Sequence, residues 1–298
     1  MKKTPRITIA SSAGFCFGVR RAITMAEQTA EKSDDIHTLG PLIHNPQDVA
    51  RLAKKGIRSV ADPMRVKKGT LILRTHGIPA RLREKLAATP LTLVDATCPF
   101  VKRAQDIVKR LADGDARIVV VGEKIHPEVM ALVSYGKGKC TVIENPEGAD
   151  DIAGENKLCV VSQTTQTPEN FRAVIQRLKK NNGTVKAFNT ICRATMDRQS
   201  AASRLARRVS VMLVVGGKNS GNTRRLTEIC NRYTRTYHIE MAKEIKTAWF
   251  RQAGAIGLTA GASTPDWIIE NVKDTIVNIV SKKSSAPRDA TKRKKWTT

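Results

Sequence analysis

The chain has 298 residues, 41% of them hydrophobic, and its 52 Lys and Arg against 27 Asp and Glu give a net charge of +25. This length and apolar content predict two or more domains and argue against a chain that is disordered throughout. No apolar run approaches the ~20 residues of a membrane-spanning helix. Six scattered cysteines without a Cys-x-x-Cys pair argue against a zinc ribbon or a disulfide scaffold. We therefore expect a cytoplasmic protein with no membrane association.

Part of the positive charge lies at the C-terminus. Between 282 and 295 there are seven Lys and Arg against one acidic residue, Asp289. This segment has almost nothing to bury, so residues 281–298 are predicted to form a basic disordered tail. The remaining positive charge favours acidic partners, namely a phosphorylated substrate, an acidic electron carrier or nucleic acid, unless it reflects a generally basic composition. An aromatic content of 4% argues against a nucleic-acid stacking platform.

Short apolar runs alternate with amphipathic segments along the chain. Strand-like runs lie at 6–10, 70–74, 92–94, 117–121, 158–161, 185–188, 210–215 and 255–259. Helices are predicted to begin near Pro79, Pro99, Pro168 and Pro265, since proline is tolerated in the first turn. Buried strands separated by amphipathic helices are typical of parallel sheets covered by helices. The sequence therefore predicts an α/β fold.

Polar residues at the predicted strand ends repeat three times. Three cysteines each follow a strand-like run and precede a basic helix: Cys16, Cys98 and Cys192. Another polar residue comes 28 positions after each cysteine: His44, His126 and Ser220. A third set follows 60 to 71 positions after the cysteines: His76, Thr164 and Ser263. The repeat predicts three similar small α/β modules, which we place at 18–97, 98–191 and 192–280.

The three repeated cysteines are candidate metal ligands. Ligands of parallel sheets bind beyond the carboxyl ends of the strands, where these cysteines lie. Because 82 and 94 residues separate them, they cannot form a local metal knuckle, but they can share a cluster. Three thiolates would leave one iron of a four-iron cubane open to substrate. The alternative, an ordinary buried thiol, is what we expect for the other three cysteines, Cys140, Cys159 and Cys230.

The polar residues between strands and helices are suited to binding an anion. Imidazole N–H groups and helix N-termini both favour negative charge. The candidates are three of the five histidines and three smaller polar residues: His44, His76, His126, Ser220, Asn222 and Ser263. Together they predict a diphosphate site.

Glu128 and Thr164 are candidates for proton transfer. Burial near an anion would raise the pKa of the Glu128 carboxyl towards the range of a useful proton donor. The alternative for Glu128 is a first-turn carboxylate that complements the helix dipole. The Thr164 hydroxyl is suited to relaying a proton, although threonine at a strand end often reflects β-propensity alone.

Nine short motifs occur in order between residue 5 and about 280: Gly14-Phe15-Cys16-x-Gly18, Ile43-His44-Asn45, His76-Gly77, Asp95-Ala96-Thr97-Cys98-Pro99, His126-Pro127-Glu128, Gln163-Thr164-Thr165, Ile191-Cys192-x-Ala194-Thr195, Lys218-Asn219-Ser220-x-Asn222 and Ser263-x-Pro265-Asp266. Through these motifs the chain resembles the 4-hydroxy-3-methylbut-2-enyl diphosphate reductase family. The resemblance implies a pseudo-threefold trefoil of three α/β modules, with the N-terminal strand in 1–17 joining the third module. At its centre it implies one [4Fe-4S] cluster with three cysteine ligands, Cys16, Cys98 and Cys192, and one open iron.

The resemblance also implies a reaction. A two-electron reductive dehydroxylation would convert the allylic diphosphate to isopentenyl and dimethylallyl diphosphate, the last step of the methylerythritol phosphate route to isoprenoids. The six anion-site residues would hold the diphosphate, while Glu128, Thr164 and His126 would serve catalysis. Ferredoxin or flavodoxin would supply the electrons to a monomer or weak dimer. Two alternatives stay open: a cluster dehydratase similar to quinolinate synthase, and a non-catalytic, basic nucleic-acid-binding relative.

Three residues depart from the family pattern. Gly221 stands where the family usually has a serine, Arg193 where it has a tyrosine, and Ser162 where it has a threonine. Arg193 would offset the lost Gly221 hydroxyl if its side chain points inward.

The missing hydroxyl at Gly221 leads to an expectation from sequence alone. A hydrogen bond to a charged group contributes ~1.5–3 kcal/mol, so a restored hydroxyl should strengthen diphosphate binding. Gly221→Ser is then expected to lower the apparent Michaelis constant in steady-state assays. An unchanged or higher constant would contradict this account.

Overall fold

The computed structural model describes residues 5–284. The strands are β1 (Arg6–Ile9), β2 (Ile36–Leu39), β3 (Ile57–Val60), β4 (Thr70–Leu73), β5 (Thr92–Asp95), β6 (Arg117–Val121), β7 (Cys140–Ile143), β8 (Lys157–Ser162), β9 (Thr184–Ala187), β10 (Val211–Val215), β11 (Arg235–Ile239) and β12 (Ala255–Ala260). The helices are α1 (Phe17–Ala30), α2 (Pro46–Lys54), α3 (Ala80–Ala87), α4 (Pro99–Ala112), α5 (Pro127–Ser134), α6 (Pro168–Asn181), α7 (Arg193–Ala206), α8 (Gly221–Asn231) and α9 (Asp266–Ser284). Short 3₁₀ turns lie at Pro63–Arg65, Glu147–Ala149, Ala242–Glu244 and Thr247–Phe250.

The last helix extends further than the sequence predicted. Helix α9 continues to Ser284, past the residue 281 at which the tail was expected to begin. The rest of that predicted tail lies outside the described residues. None of the described helices has both the length and the apolar character that a membrane span requires.

The strands form three four-stranded parallel sheets. The first has the order β3-β2-β4-β5, the second β7-β6-β8-β9 and the third β11-β10-β12-β1. Strand β1 pairs in parallel with β12, Arg6 opposite Ala255, so the N-terminal strand completes the third sheet. This architecture confirms the α/β class with three parallel sheets. The module boundaries given above stay a prediction.

Apolar side chains cover both faces of each sheet, as parallel sheets require. In β6, Val119 and Val121 belong to one apolar cluster, while Ile118 and Val120 belong to a second cluster on the other face. Alternate residues of a strand point to opposite faces, so an apolar run such as Arg117–Val121 becomes buried on both sides. The polar residues that follow these strands lie at the carboxyl edge of the sheet.

Helices α1, α4 and α7 each pack on the face of one sheet. Ala22 and Ala26 of α1 pack against Ile36 and Ile72 of the first sheet. Helix α4 packs in the same way on the second sheet through Ala104, Val108 and their neighbours. Helix α7 packs on the third sheet through Ala202 and Leu205. The start of each of these helices is therefore fixed relative to the sheet that it covers.

Two glycines that precede strands provide a test of the packing in the first sheet. Gly69 (φ +88°) and Gly56 (φ +84°) share a backbone conformation that L-residues avoid. A Cβ on Gly69 would lie 2.4 Å from the carbonyl oxygen of Asp35, whereas a Cβ on Gly56 meets nothing within 4 Å. Gly56→Ala should therefore cost about 1–2 kcal/mol of unfolding free energy, and Gly69→Ala about 1–3 kcal/mol more.

Chemical denaturation of both variants and the parent protein measures this difference. Equal losses for the two substitutions would show that the contact between Gly69 and Asp35 does not constrain the sheet.

Candidate active site

Every site residue expected from the sequence lines one central cavity. These residues are Cys16, His44, His76, Cys98, His126, Glu128, Thr164, Cys192, Ser220, Asn222 and Ser263. They come from the loops and helix first turns that follow strands in all three sheets. The fold thus brings together residues up to 247 positions apart, from Cys16 to Ser263.

Each of the three cysteines occupies the same local structure. Cys16, Cys98 and Cys192 are the N-cap residues of α1, α4 and α7. Their backbone N–H groups donate to carbonyl oxygens in the loops that follow β12, β4 and β8, over 3.0–3.1 Å. The acceptors are Ala262 for Cys16, Thr75 for Cys98 and Thr164 for Cys192. One hydrogen bond per sheet therefore fixes each thiol at the cavity.

The three thiols lie close together. All are free and partly buried. Burial raises the pKa of the Cys98 thiol to about 11; the N–H groups of Phe100 and Val101 oppose this shift, and the neighbouring Cys16 and Cys192 add to it. A Cβ on Gly18 would lie 2.6 Å from the Cys98 Sγ and 4.0 Å from the Cys16 Sγ, so only glycine leaves room for these sulfurs. Sulfur ligands that repel one another as anions in a half-buried cavity fit a metal cluster, whose positive charge would stabilise the thiolates.

Arg198 was not predicted as a site residue. It lines the cavity and is 4% exposed, and its guanidinium donates to the Gly14 carbonyl over 2.7 Å. Burial lowers its pKa, while Cys16 and Cys192 act in the opposite direction. The sequence signal was its position on the apolar face of α7, beside Ala201, Ala202 and Leu205, where an arginine needs a partner.

The three histidines form a compact group. Ring centroids are 4.3 Å apart for His44 and His76, 5.5 Å for His76 and His126, and 5.7 Å for His44 and His126. One ring nitrogen from each lies within 4.8 Å of the others, which is close enough to hold a metal ion. Geometry alone therefore permits either a cation or an anion at this group.

The hydrogen bond of His126 distinguishes these possibilities. Its Nδ1 accepts from the Glu128 N–H over 3.1 Å. The neutral ring then carries its proton on Nε2, which makes Nε2 a donor rather than a metal ligand. The His44 Nε2 and His76 Nδ1 are buried without a partner among the described residues. The group is therefore better suited to donating hydrogen bonds to an anion.

Burial keeps all three histidines neutral at pH 7 in the absence of an anion. It lowers the pKa of His44, and that of His76 well below the usual range. It lowers the pKa of His126 to about 3, with His44 contributing to the shift. Several cationic neighbours act in the same direction, among them Arg74. An anion in the cavity would reverse these shifts by favouring the charged imidazolium form.

Polar groups that follow strands of the third sheet also line the cavity. Ser220 is the N-cap of α8, and its Oγ accepts from the Thr223 N–H over 3.4 Å. Asn222 is 5% exposed, and neither atom of its amide has a partner in the described part of the chain. The Ser263 Oγ donates to the His44 carbonyl over 3.1 Å. The Asn222 amide and the N-terminus of α8 are thus available for an anionic ligand.

Glu128 is a buried carboxyl group beside these donors. It is 2% exposed and accepts from the Thr164 N–H over 2.6 Å and from the Thr164 Oγ over 2.9 Å. Burial raises its pKa to about 7, although both Thr164 hydrogen bonds act in the opposite direction. A carboxyl with this pKa can both hold and release a proton near neutral pH.

Two departures from the family pattern are explained by the structure. The Arg193 side chain is 87% exposed and lies 3.8 Å from Asp197, so it points outward. The idea that Arg193 offsets the missing Gly221 hydroxyl is therefore wrong. The Ser162 Oγ lies 3.1 Å from the Thr190 Oγ1, within a buried hydrogen-bonded pair. Ser162 thus serves the packing of β8.

A family model described as LytB protein matches residues 7–277. A protein of Geobacter sulfurreducens named 4-hydroxy-3-methylbut-2-enyl diphosphate reductase is 46% identical over 278 residues, which cover 93% of this chain and 99% of the relative. A protein of Pelobacter propionicus with the same name is 47% identical with the same coverage.

Two solved structures are also similar. One, described as (E)-4-hydroxy-3-methyl-but-2-enyl diphosphate reductase, the terminal enzyme of the non-mevalonate pathway, is 44% identical with a TM-score of 0.68, and the match covers 92% of this chain and 99% of the other. The second, a reductase of E-1-hydroxy-2-methyl-but-2-enyl-4-diphosphate from Plasmodium falciparum, is 26% identical with a TM-score of 0.86, covering 91% and 88%. Cavity, fold and sequence matches agree, and the chain belongs to the LytB family, whose curated relatives are named 4-hydroxy-3-methylbut-2-enyl diphosphate reductase.

Proposed function

We propose that this chain is an iron-sulfur reductase that converts 4-hydroxy-3-methylbut-2-enyl diphosphate to isopentenyl and dimethylallyl diphosphate. The observation that carries the proposal is the central cavity, where three free cysteines, three neutral histidines and one buried carboxyl group meet. The names of the curated relatives point to the same reaction. The same matches give no support to the dehydratase similar to quinolinate synthase or to the nucleic-acid-binding alternative.

Cys16, Cys98 and Cys192 are the residues proposed to hold a [4Fe-4S] cluster with one iron free of protein ligands. When bound, this group supplies single electrons and a Lewis-acidic iron. The protein contributes three helix N-termini, whose dipoles favour the negative charge of the thiolates. Arg198 is buried and interacts electrostatically with Cys16 and Cys192, so it adds a positive charge beside the thiolates.

The diphosphate is proposed to lie among His44, His76, His126, Ser220, Asn222 and Ser263. Neutral imidazoles and a side-chain amide donate hydrogen bonds without requiring a permanently buried charge. The α8 N-terminus adds backbone N–H groups and a favourable dipole. The hydroxyl end of the substrate is then proposed to lie towards the cysteines and Glu128.

Glu128 and Thr164 are proposed to supply the protons, with His126 beside them. The reaction takes up two electrons and two protons: the C–O bond of the hydroxyl breaks, a C–H bond forms, and water leaves. One proton is needed by the departing hydroxyl and one by the carbon. The Glu128 carboxyl, hydrogen-bonded to the Thr164 Oγ, can deliver a proton through that hydroxyl.

The six free cysteines fit a reducing compartment, which supports a cytoplasmic location. The monomeric or weakly dimeric state stays a prediction.

Anaerobic turnover of the substrate by reconstituted protein, with a reduced viologen as electron source, tests the function. Formation of both diphosphate products would support the proposal. Protein with an intact cluster that leaves this substrate unchanged would contradict it.

An acidic protein, ferredoxin or flavodoxin, is the proposed electron donor. The residues that follow the three cysteines are exposed: Phe17 (64%), Phe100 (37%) and the Arg193 side chain (87%). The exposed Arg20 and Arg103 lie one turn further along α1 and α4. An apolar and basic surface that adjoins partly buried cysteines suits an acidic redox partner.

The proposed role of Glu128 predicts a pH dependence. A raised pKa means that Glu128 loses its proton as pH rises through about 7, so kcat should fall above that pH. Glu128→Gln cannot donate a proton and should lower kcat by about 10²–10⁴-fold while removing that pH dependence. Viologen-coupled assays from pH 6 to 9 measure both effects. Glu147→Gln, at an exposed position, is the matched control, and a Glu128→Gln enzyme with normal kcat would rule out the role.

The proposed docking surface predicts a salt effect that depends on the donor. Reduction by ferredoxin should slow steeply with added salt, and Arg193→Glu should slow it about tenfold or more at low salt. Reduction by a small viologen should show neither effect. Lys179→Glu, an equal charge change on α6 of the second sheet, is the control. A ferredoxin rate that is insensitive to both salt and Arg193→Glu would place docking elsewhere.

A further inference from the structure

Glu123 joins the His126 loop to the beginning of α8. Its backbone is held from two loops, since its N–H donates to the Oε1 of Gln163, in the loop after β8, over 3.1 Å, and its carbonyl accepts from the His126 N–H of its own loop over 2.9 Å. Its carboxylate forms ion pairs with Arg224 and Arg225, the latter over 2.9 Å. The loop follows a strand of the second sheet and α8 follows a strand of the third, so this bridge spans two sheets.

The bridge is partly shielded from water. The Glu123 side chain is 24% exposed and that of Arg225 is 11% exposed. The Arg225 Nε also donates to the Gln166 Oε1 over 3.3 Å, and the Arg224 guanidinium donates to the Lys218 carbonyl over 3.2 Å. Paired charges with several further hydrogen bonds are held in one geometry better than an exposed ion pair.

Gly221 lies directly beneath this bridge. A Cβ at Gly221 would lie 2.8 Å from the Glu123 Oε1 and 3.2 Å from an Arg225 guanidinium nitrogen. A side chain at 221 and the carboxylate of Glu123 therefore compete for the same space. Gly221 is flanked by Ser220 and Asn222, so the competition occurs in the middle of the proposed diphosphate site.

We propose that Glu123 is a positioning residue that, through Arg224 and Arg225, holds Ser220 and Asn222 against the His126 loop, and that Gly221 is the residue this bridge requires. The inference rests on the proposed function and identifies what sets diphosphate affinity in this chain. The inference is the opposite of the expectation from sequence alone. The Cβ of a serine at 221 would displace the Glu123 carboxylate, and this loss would outweigh a hydrogen bond from the serine hydroxyl to the ligand.

A double-mutant cycle with Gly221→Ser and Glu123→Ala tests the proposal. The probe is inorganic diphosphate, titrated calorimetrically into reconstituted holoprotein. Each single variant should raise Kd about tenfold, because each disrupts the bridge. In the Glu123→Ala background, Gly221→Ser should instead leave Kd unchanged or lower it, since the carboxylate it displaces is absent.

Steady-state kinetics separate positioning from a general structural role. The apparent KM should follow Kd, whereas kcat should change less than KM, because the Glu128 carboxyl is hydrogen-bonded to Thr164 and feels the bridge only through the opposing charges of Arg225 and Glu123. Glu123→Gln, which keeps the shape and part of the hydrogen bonding, should restore part of the affinity. Glu144→Ala is the matched control: this exposed glutamate accepts from the Lys124 N–H in the same loop but does not pair with α8.

Three outcomes would overturn the proposal: additive losses in the double variant, a lower Kd for Gly221→Ser alone, or a fall in kcat at constant KM. The first two outcomes concern diphosphate binding, which is measured without turnover, and the third compares variants that all turn over substrate. Failure of the proposed function would instead appear as absence of turnover in the unsubstituted protein.

Discussion

Three backbone hydrogen bonds hold the site together. In each sheet, the N–H of a cysteine donates to a carbonyl in the loop after a neighbouring strand, and the acceptors are Ala262, Thr75 and Thr164. The helix that begins after each cysteine then packs on a different sheet: α1 on the first, α4 on the second and α7 on the third. Every cysteine therefore stands where the chain passes from one sheet to the next, and three such crossings meet at one cavity.

This arrangement places two kinds of chemistry side by side. The loops that accept the cysteine N–H groups also carry His76, Thr164 and Ser263, each at or next to the acceptor residue. The same backbone hydrogen bonds thus position the thiols and part of the anion site. Glu128 lines the same cavity, where it is hydrogen-bonded to Thr164, and its burial raises its pKa.

The central parts of the fold were predictable because their signal is local. Apolar runs such as those of β6 and β10 predict buried strands directly from the sequence. The threefold spacing of cysteines and polar residues indicated a shared site. The missed strands β2, β3, β7 and β11 are four or five residues long and contain polar side chains, so their apolar pattern is weak. The pairing of Glu123 with Arg224, 101 residues away, left no local signal. The outward direction of Arg193 was equally unpredictable, because it depends on where the α7 N-terminus meets the surface.

The central claim is that Cys16, Cys98 and Cys192 hold one cluster at the meeting point of the three sheets. Iron and sulfide bound per chain after anaerobic reconstitution test it most directly, with serine substituted at each of these positions in turn and Cys159→Ser as the buried control. The account predicts about four irons per chain in the unsubstituted protein and the control, and loss of most of the iron in each of the three variants. Full iron content in any of those three, or equal loss in the control, would contradict it.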